Sequence, residues 1–322
     1  MKKQSKYLEY IEDHIIFDCI VAKKFVGLLT REPKSKSINI KLVTVNFDGA
    51  FSGYYNLKHF FDAKGCVVRD PENPGVILTS SNAQVYFHGF VGDDSVDDFE
   101  DDITLDDGVQ ISNVKFIDGN AYAVSTLRDV YKRVNISKWE NISKGSIEEG
   151  EISDTLFQVN NDFFFTYKQG GFLSIDGFSS HDIYAAGFDG YCWHFNGTKW
   201  KKIHLPISTN IETVCCAEDG HIYLGGDRET VVKGRNNTWE IIHQGTANQK
   251  IKKIVSFKGK IYMSTTLGLY VLNDEKYEKV SHIKDFSYLD TNDNKTHLVT
   301  GGDTVVHIFD GIQWRELINK IE

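Results

Sequence analysis

The sequence predicts an all-β fold: a single β-propeller domain, residues 1–322, of seven four-stranded blades. Three observations carry this. A meander of four short strands recurs with a period near 39 residues. Each copy keeps an apolar or aromatic marker in its second strand and a Trp or Tyr about 16 positions later. The chain contains only four prolines, which suits a backbone that is mostly strand. A repeat of about 40 residues with four strands per unit belongs to propeller blades, where each unit hides its faces against two neighbours.

The period is clearest at Ile211–Ile242. Apolar runs at 211–217, 221–226, 230–234 and 239–242 are separated by Gly-, Asp- and Asn-rich turns, the pattern of an antiparallel meander. Tyr223 and Trp239 serve as markers, 16 positions apart. Tyr184 with Trp200, Tyr262 with Tyr277, Leu298 with Trp314, and Tyr122 with Trp139 repeat the pair. These five copies define blades at 109–143, 172–205, 210–244, 250–282 and 285–319. The Trp or Tyr is expected to pack blade on blade. The turns before it (Asn196-Gly197, Asn236-Asn237, Asp274-Glu275, Asp310-Gly311) suit tight hairpins that need positive φ.

Two copies without the Trp precede these. Residues 13–60 supply strands at His14–Val21, Phe25–Arg31, Ser37–Phe47 and Phe51–Leu57. Residues 62–105 supply strands near Cys66–Arg69, at Gly75–Ser80 and at Ala83–Gly89. Counting both gives seven blades; six is the alternative if the N-terminal strands act otherwise. Ring closure stays open between a swapped N-terminal strand and packing of the last blade on the first. Residues 1–12 read as a short helix or a frayed tail.

The most unusual stretch is Asp93–Asp107, DDSVDDFEDDITLDD, with nine carboxylates and no Lys or Arg. The formal net charge of the chain is −9, so the remaining residues sum to zero and the acidity is local. Such a density of like charge predicts a mobile loop or a loosely held outer strand. It is either simply solvated or a docking surface for a basic protein. The twelve-residue calcium loop is a poor match, because its sixth position requires Gly and here holds Asp98.

Residues 144–171 interrupt the period. The interval from Tyr122 to Tyr184 is 62 residues. The insert carries Glu148, Glu149 and Glu151 and the run Phe163-Phe164-Phe165. It is either core, an extra edge strand of a blade, or a binding loop over one face.

No catalytic pattern is present: no nucleophile elbow, phosphate loop, metalloprotease helix or dinucleotide fingerprint. Asn196–Trp200 is only superficially like a sialidase aspartate box, lacking its Ser and Asp. No metal centre and no cofactor are expected. The five cysteines, odd in number and without a Cys-x-x-Cys, read as small buried side chains in a reducing cytoplasm. No apolar run is long enough to span a membrane, and the basic start of the chain is not followed by the apolar segment of a signal peptide.

The expected partner-binding residues are therefore those of the acidic stretch and of the loops between second and third strands. The stretch contributes Asp93, Asp94, Asp97, Asp98, Glu100, Asp101 and Asp102, with Asp106 and Asp107 leading into the next blade. The loops contribute Arg128 and Asp129, then Asp189, then Asp227, Arg228 and Glu229, and finally Asp303. In a propeller these loops share a face, which is expected to be acidic. It fits a basic protein and disfavours nucleic acid, whose phosphates need a positive patch.

Over residues 60–320 the pattern, with second strands such as HIYLGG and DIYAAG and a Trp ending each hairpin, resembles the seven-bladed propellers of the WD-repeat-like superfamily. It departs from a true WD repeat: no Gly-His opens a blade and no Trp-Asp closes a third strand. An acidic, stand-alone propeller without catalytic motifs also looks like some bacterial immunity proteins, which neutralise a cognate toxin, often a basic nuclease delivered by contact-dependent inhibition or related systems. That resemblance implies a cytoplasmic, non-enzymatic protein that binds a basic toxin domain. A lyase or glycosidase using the central funnel, or a scaffold subunit, is the alternative. The enzyme would need His, Arg and carboxylates converging in the funnel.

Overall fold

A computed structural model describes residues 8–33, 39–58, 60–69, 74–91, 94–105, 109–147, 152–160, 163–168, 171–245, 249–273 and 276–321. A one-turn helix, α1 (Leu8–Ile11), leads into seven four-stranded antiparallel sheets, each ordered as its strands occur in the chain. The fold is a seven-bladed β-propeller. Blade 1 is β1 (Ile15–Val21), β2 (Phe25–Arg31), β3 (Asn39–Asn46) and β4 (Phe51–Lys58). Blade 2 is β5 (Lys64–Arg69), β6 (Pro74–Thr79), β7 (Val85–Val91) and β8 (Asp94–Glu100). Blade 3 is β9 (Ile111–Ile117), β10 (Asn120–Ser125), β11 (Val130–Asn135) and β12 (Lys138–Asn141). The insert forms β13 (Ile152–Asn160) and β14 (Phe163–Lys168). Blade 4 is β15 (Phe172–Ser179), β16 (Asp182–Gly187), β17 (Cys192–Phe195) and β18 (Trp200–Ile203). Blade 5 is β19 (Ile211–Cys216), β20 (Ile222–Gly226), β21 (Val231–Arg235) and β22 (Thr238–His243). Blade 6 is β23 (Ile251–Phe257), β24 (Lys260–Thr265), β25 (Leu269–Asn273) and β26 (Lys276–Lys279). Blade 7 is β27 (Tyr288–Thr291), β28 (Leu298–Gly301), β29 (Val305–Phe309) and β30 (Trp314–Asn319).

Two compact units share these blades. One contains blades 1, 6 and 7 (1–61, 217–219 and 251–322), the other blades 2 to 5 (62–216 and 220–250). In the first unit Val21, Val26 and Val43 of blade 1 share a core with Tyr288, Val299 and Ile308 of blade 7. The first and last blades therefore meet by packing. All four strands of blade 7 come from the C-terminal end of the chain, so no N-terminal strand is exchanged into it.

The repeat markers prove to be one contact made many times. Tyr122 of blade 3 lies in one core with Trp200 of blade 4. Tyr184 of blade 4 meets Trp239 of blade 5 edge to face at 6.3 Å. In the first unit, Tyr262 of blade 6 packs in a cluster with Trp314 of blade 7. The second-strand marker thus faces forward and the fourth-strand marker backward. First strands are also latched by polar side chains. Asp176 Oδ2 accepts from Cys216 N at 2.9 Å and Ser174 Oγ from Val214 N at 3.0 Å. In the first unit Asp290 Oδ2 accepts from Val21 N at 2.9 Å.

Gly187 and Gly226 close the second strands of blades 4 and 5, one repeat apart. A Cβ at Gly226 would lie 1.9 Å from the carbonyl oxygen of Asn210, and one at Gly187 2.1 Å from that of Gly171. The amides of the next residues, Asp227 and Phe188, donate to those same oxygens. Glycine is required by this close approach of backbones. Gly226→Ala is expected to destabilise by about 1–3 kcal/mol or more, read as a lower urea midpoint. An unchanged midpoint would mean that the two backbones separate freely.

Of the two forms expected for the acidic stretch, the outer strand is the one found over 94–100: β8 pairs in unbroken register with β7, from Val91 opposite Asp94 to Val85 opposite Glu100. The insert does not add a strand to a blade. Among the described residues β13 and β14 form a two-stranded sheet of their own, with Phe157 opposite Phe165. All five cysteines are free. No helix among the described residues is long and apolar enough to cross a membrane.

Candidate functional site

The loops between second and third strands in blades 3, 4 and 5 lie within one unit and carry six of the seven expected loop residues. Each is a short reversal held by one polar group. In blade 3, Asp129 N donates to Ser125 Oγ at 3.0 Å, and Ser125 Oγ donates to Asp129 Oδ2 at 3.1 Å. Asp129 Oδ1 accepts from Asn141 Nδ2 at 2.9 Å. Asn141 Oδ1 in turn accepts from the amides of Ser143 and Lys144, both at 3.0 Å. Asp129 therefore steers the chain out of blade 3 towards the insert. Val130 N donates to Ser143 Oγ and Phe188 N to the carbonyl of Gly171. Both stems of the insert are thus pinned beside these loops.

Arg128 has a left-handed backbone, φ 73°, and its side chain is buried. Its guanidinium lies 4.9 Å from the centre of the Tyr191 ring, and Lys202 Nζ lies 3.5 Å from the same ring. These are cation–π contacts. In blade 4, Asp189 (φ 58°) donates its amide to Asn210 Oδ1 at 3.0 Å. The Asn210 carbonyl accepts from Asp227 N at 3.1 Å. One asparagine so joins the loops of blades 4 and 5.

In blade 5, Asp227 meets Lys250 at 3.4 Å, and Lys250 meets Glu212 at 2.6 Å. Arg228 and Glu229 are both left-handed, with φ of 58° and 50°. Arg228 points to solvent while Glu229 is buried. Burial alone pushes the Glu229 carboxyl above its ordinary range. In the other unit Asp303 occupies the corresponding loop of blade 7 and is exposed. Its neighbours Thr304 and Val305 are held by Asp285, whose Oδ2 accepts from both amides at 3.2 and 3.0 Å.

The acidic stretch is anchored at its C-terminal end. Glu100 is buried and takes both arms of the Arg133 guanidinium from blade 3. Asp101 and Asp102 are exposed. Burial and the charge of Asp101 raise the Asp102 carboxyl above its ordinary value. Strand β8 fixes the backbone of Asp94, Asp97 and Asp98, whereas Asp93, Asp106 and Asp107 lie outside the described residues.

The expected face, acidic in several blades, is of mixed character among its described residues. Glu100, Arg128 and Glu229 are buried, and Lys202 and Lys250 bring positive charge among the aspartates. The residues missed from sequence are Asn141, Asn210, Tyr191, Lys202, Lys250 and Asp285. Asn210 and Lys250 sit in connections from a fourth to a first strand, the second set of loops on a propeller's functional side. Applying that rule to blades 4 and 5 would have found them.

Solved structures are similar to this chain in fold. The WD40 β-propeller domain of Doa1 covers 94% of this chain and 94% of its own, with a TM-score of 0.61 and 12% identity. YCF48 bound to D1 peptide covers 75% of this chain and 78% of its own, with a TM-score of 0.51 and 12% identity. At that identity the likeness concerns fold. No family model matches the chain. By sequence, the chain is 28% identical over 260 residues to Immune protein Tsi7 of Pseudomonas aeruginosa strain PAO1, covering 78% of each protein.

Proposed function

We propose that this chain is a cytoplasmic immunity protein, a non-enzymatic propeller that binds and neutralises a cognate toxin. The observation that carries the reading is the likeness to Immune protein Tsi7 over 78% of both chains. An alignment of that extent spans most of the blades and so concerns the whole propeller rather than one motif. The partner is a basic protein, for which a nuclease domain is the natural example. Its positive charge would meet the acidic strand β8, Asp101 and Asp102, and the loops carrying Asp129, Asp189 and Asp227. A one-sign surface steers encounter and sets the association rate.

The test is co-expression with the product of the adjacent gene. That product alone should stop growth, and this chain should restore it. The purified pair should associate more slowly as salt rises. Changing Asp97, Asp98, Asp101 and Asp102 together to Asn should lower the association rate about tenfold or more at low salt, with little effect at high salt. Failure to restore growth, together with no binding by the unaltered chain, sinks the reading.

A further inference from the structure

We propose that the hairpin β13–β14 is the arm with which this chain grips its protein partner, seated in a cleft of that partner with an apolar floor and a rim of Lys or Arg. This rests on the immunity reading and adds to it the element that makes the central contact. Of the described strands, only these two belong to no blade. They pair with each other, from Ile152 opposite Lys168 to Asn160 opposite Phe163. Among the described residues no other strand or helix runs alongside either of them.

Composition and architecture conflict in such an element. The two strands hold four Phe, one Tyr and one each of Ile, Leu and Val, eight of fifteen residues. A lone two-stranded hairpin is at best marginally stable in water and needs further structure against its hydrophobic face. The blades supply no third strand. The root, by contrast, is fixed. Ile147 before the hairpin and Phe172 after it are buried in one core with Trp200. Val130 N donates to Ser143 Oγ at 3.0 Å, and Phe188 N to the Gly171 carbonyl at 2.9 Å. A firm base beside the loops of Asp129 and Asp189, carrying an apolar sheet of two strands, is accounted for if another molecule completes the sheet's packing.

Charge selects the occupant. Between Lys144 and Lys168 the sequence has five carboxylates and no Lys or Arg, so the arm is acidic as well as apolar. A nucleic acid would be repelled, since its phosphates need positive charge. A second copy of this chain, with a net charge of −9, is a poor match as well. Arg128 and Lys202 of the same two blades are already engaged with the Tyr191 ring. A basic protein fits on both counts. Aromatic side chains are enriched at the buried centre of an interface, and carboxylates around them meet Lys and Arg across it.

The register provides the test. Ile152 and Lys168 stand opposite each other, about 5 Å apart as paired Cα atoms are. Residues 152–168 can therefore be removed and 151 joined to 169 by a single glycine with the root left in place. The probe is the adjacent gene's product. The shortened chain should melt within about 2 °C of the parent, bind the probe at least about 100-fold more weakly, and no longer restore growth. Phe157→Ser with Phe165→Ser, a pair opposite in the register, keeps the hairpin's length and decides the question if the shortened chain does not fold. It should lose at least about tenfold in affinity, with the melting temperature unchanged. Binding by either folded variant within about twofold of the parent overturns the assignment while leaving the immunity reading intact. A clear fall in the melting temperature of the double variant also overturns it, because the hairpin is then covered by the protein's own surface. A parent that is dimeric by light scattering and becomes monomeric when shortened overturns it in favour of a second copy. No binding by the parent chain overturns both readings.

Discussion

Arg133→Ala should destabilise the protein by about 3–5 kcal/mol, the range for breaking a buried ion pair from one side. Arg133 Nε donates to Glu100 Oε2 at 2.9 Å, and a second guanidinium N–H reaches Oε1. The Glu100 side chain is 3% exposed and that of Arg133 13%. The guanidinium also lies 5.6 Å from the centre of the Phe87 ring. Truncation would leave Glu100 charged, buried and unpaired. It would also loosen the side-chain ties between the end of β8 and blade 3, because those that remain are long: Ser137 N to Glu100 Oε2 at 3.4 Å and Asp101 N to Ser137 Oγ at 3.2 Å. The measurement is the urea midpoint of Arg133→Ala against Arg133→Met with Glu100→Leu. Replacing both partners by apolar groups should cost much less than removing one, because no charge is then stranded. A loss below about 1 kcal/mol in the single variant, as for an exposed pair, would mean that water reaches Glu100.

This pair also explains where the sequence misled. The repeat was legible because blades 3 to 7 keep an aromatic or apolar residue at the same two positions, so Tyr184 and Trp239 announce themselves by spacing. Blade 1 was legible without a Trp, since polar turns such as Lys23-Lys24 and Asp48-Gly49 separate its apolar runs. Strand β8 was read as loose because its composition is self-repelling. What holds it is its unbroken pairing with β7 and, at its end, a contact of Glu100 with Arg133, 33 residues away and in the next blade, which no local pattern reports. The insert showed its aromatic run but not its pairing, in whose register Phe157 stands opposite Phe165.

The site was legible to the same degree. Asp129, Asp189 and Asp227 fall where strand spacing puts a loop. The burial of Arg128 and Glu229 does not follow from sequence, because both point inward through left-handed backbone at non-glycine residues. At Glu229 the amide is held by the Gln249 carbonyl, which arrives from the connection between blades, and at Arg128 by the Ser125 carbonyl of its own loop.

Trp200→Ala should cost about 3–5 kcal/mol, and more than the same change at the equivalent Trp239. Trp200 is 4% exposed. Its ring lies 5.1 Å from Phe195 and 6.4 Å from Phe172, and Nε1 donates to the Ile142 carbonyl of the preceding blade at 3.3 Å. Removing it opens a cavity between blades 3 and 4 and strips an interblade hydrogen bond. Trp239 is only half-buried, and its Nε1 bonds within its own hairpin, to Asn236 O at 3.0 Å. Tyr277 goes further in that direction, stacking at 4.5 Å on Tyr270 of its own blade. The expected order of loss in thermal midpoint is Trp200, then Trp239, then Tyr277. A flat series would mean that the marker acts inside each blade and not between blades. The order matters for binding as well. Ile142 directly follows Asn141, which holds Asp129 and directs the chain into the insert, so the brace that Trp200 provides also fixes the root of the proposed contact surface. At a temperature where Trp200→Ala remains folded, its affinity for the toxin partner should fall, whereas that of Tyr277→Ala should not.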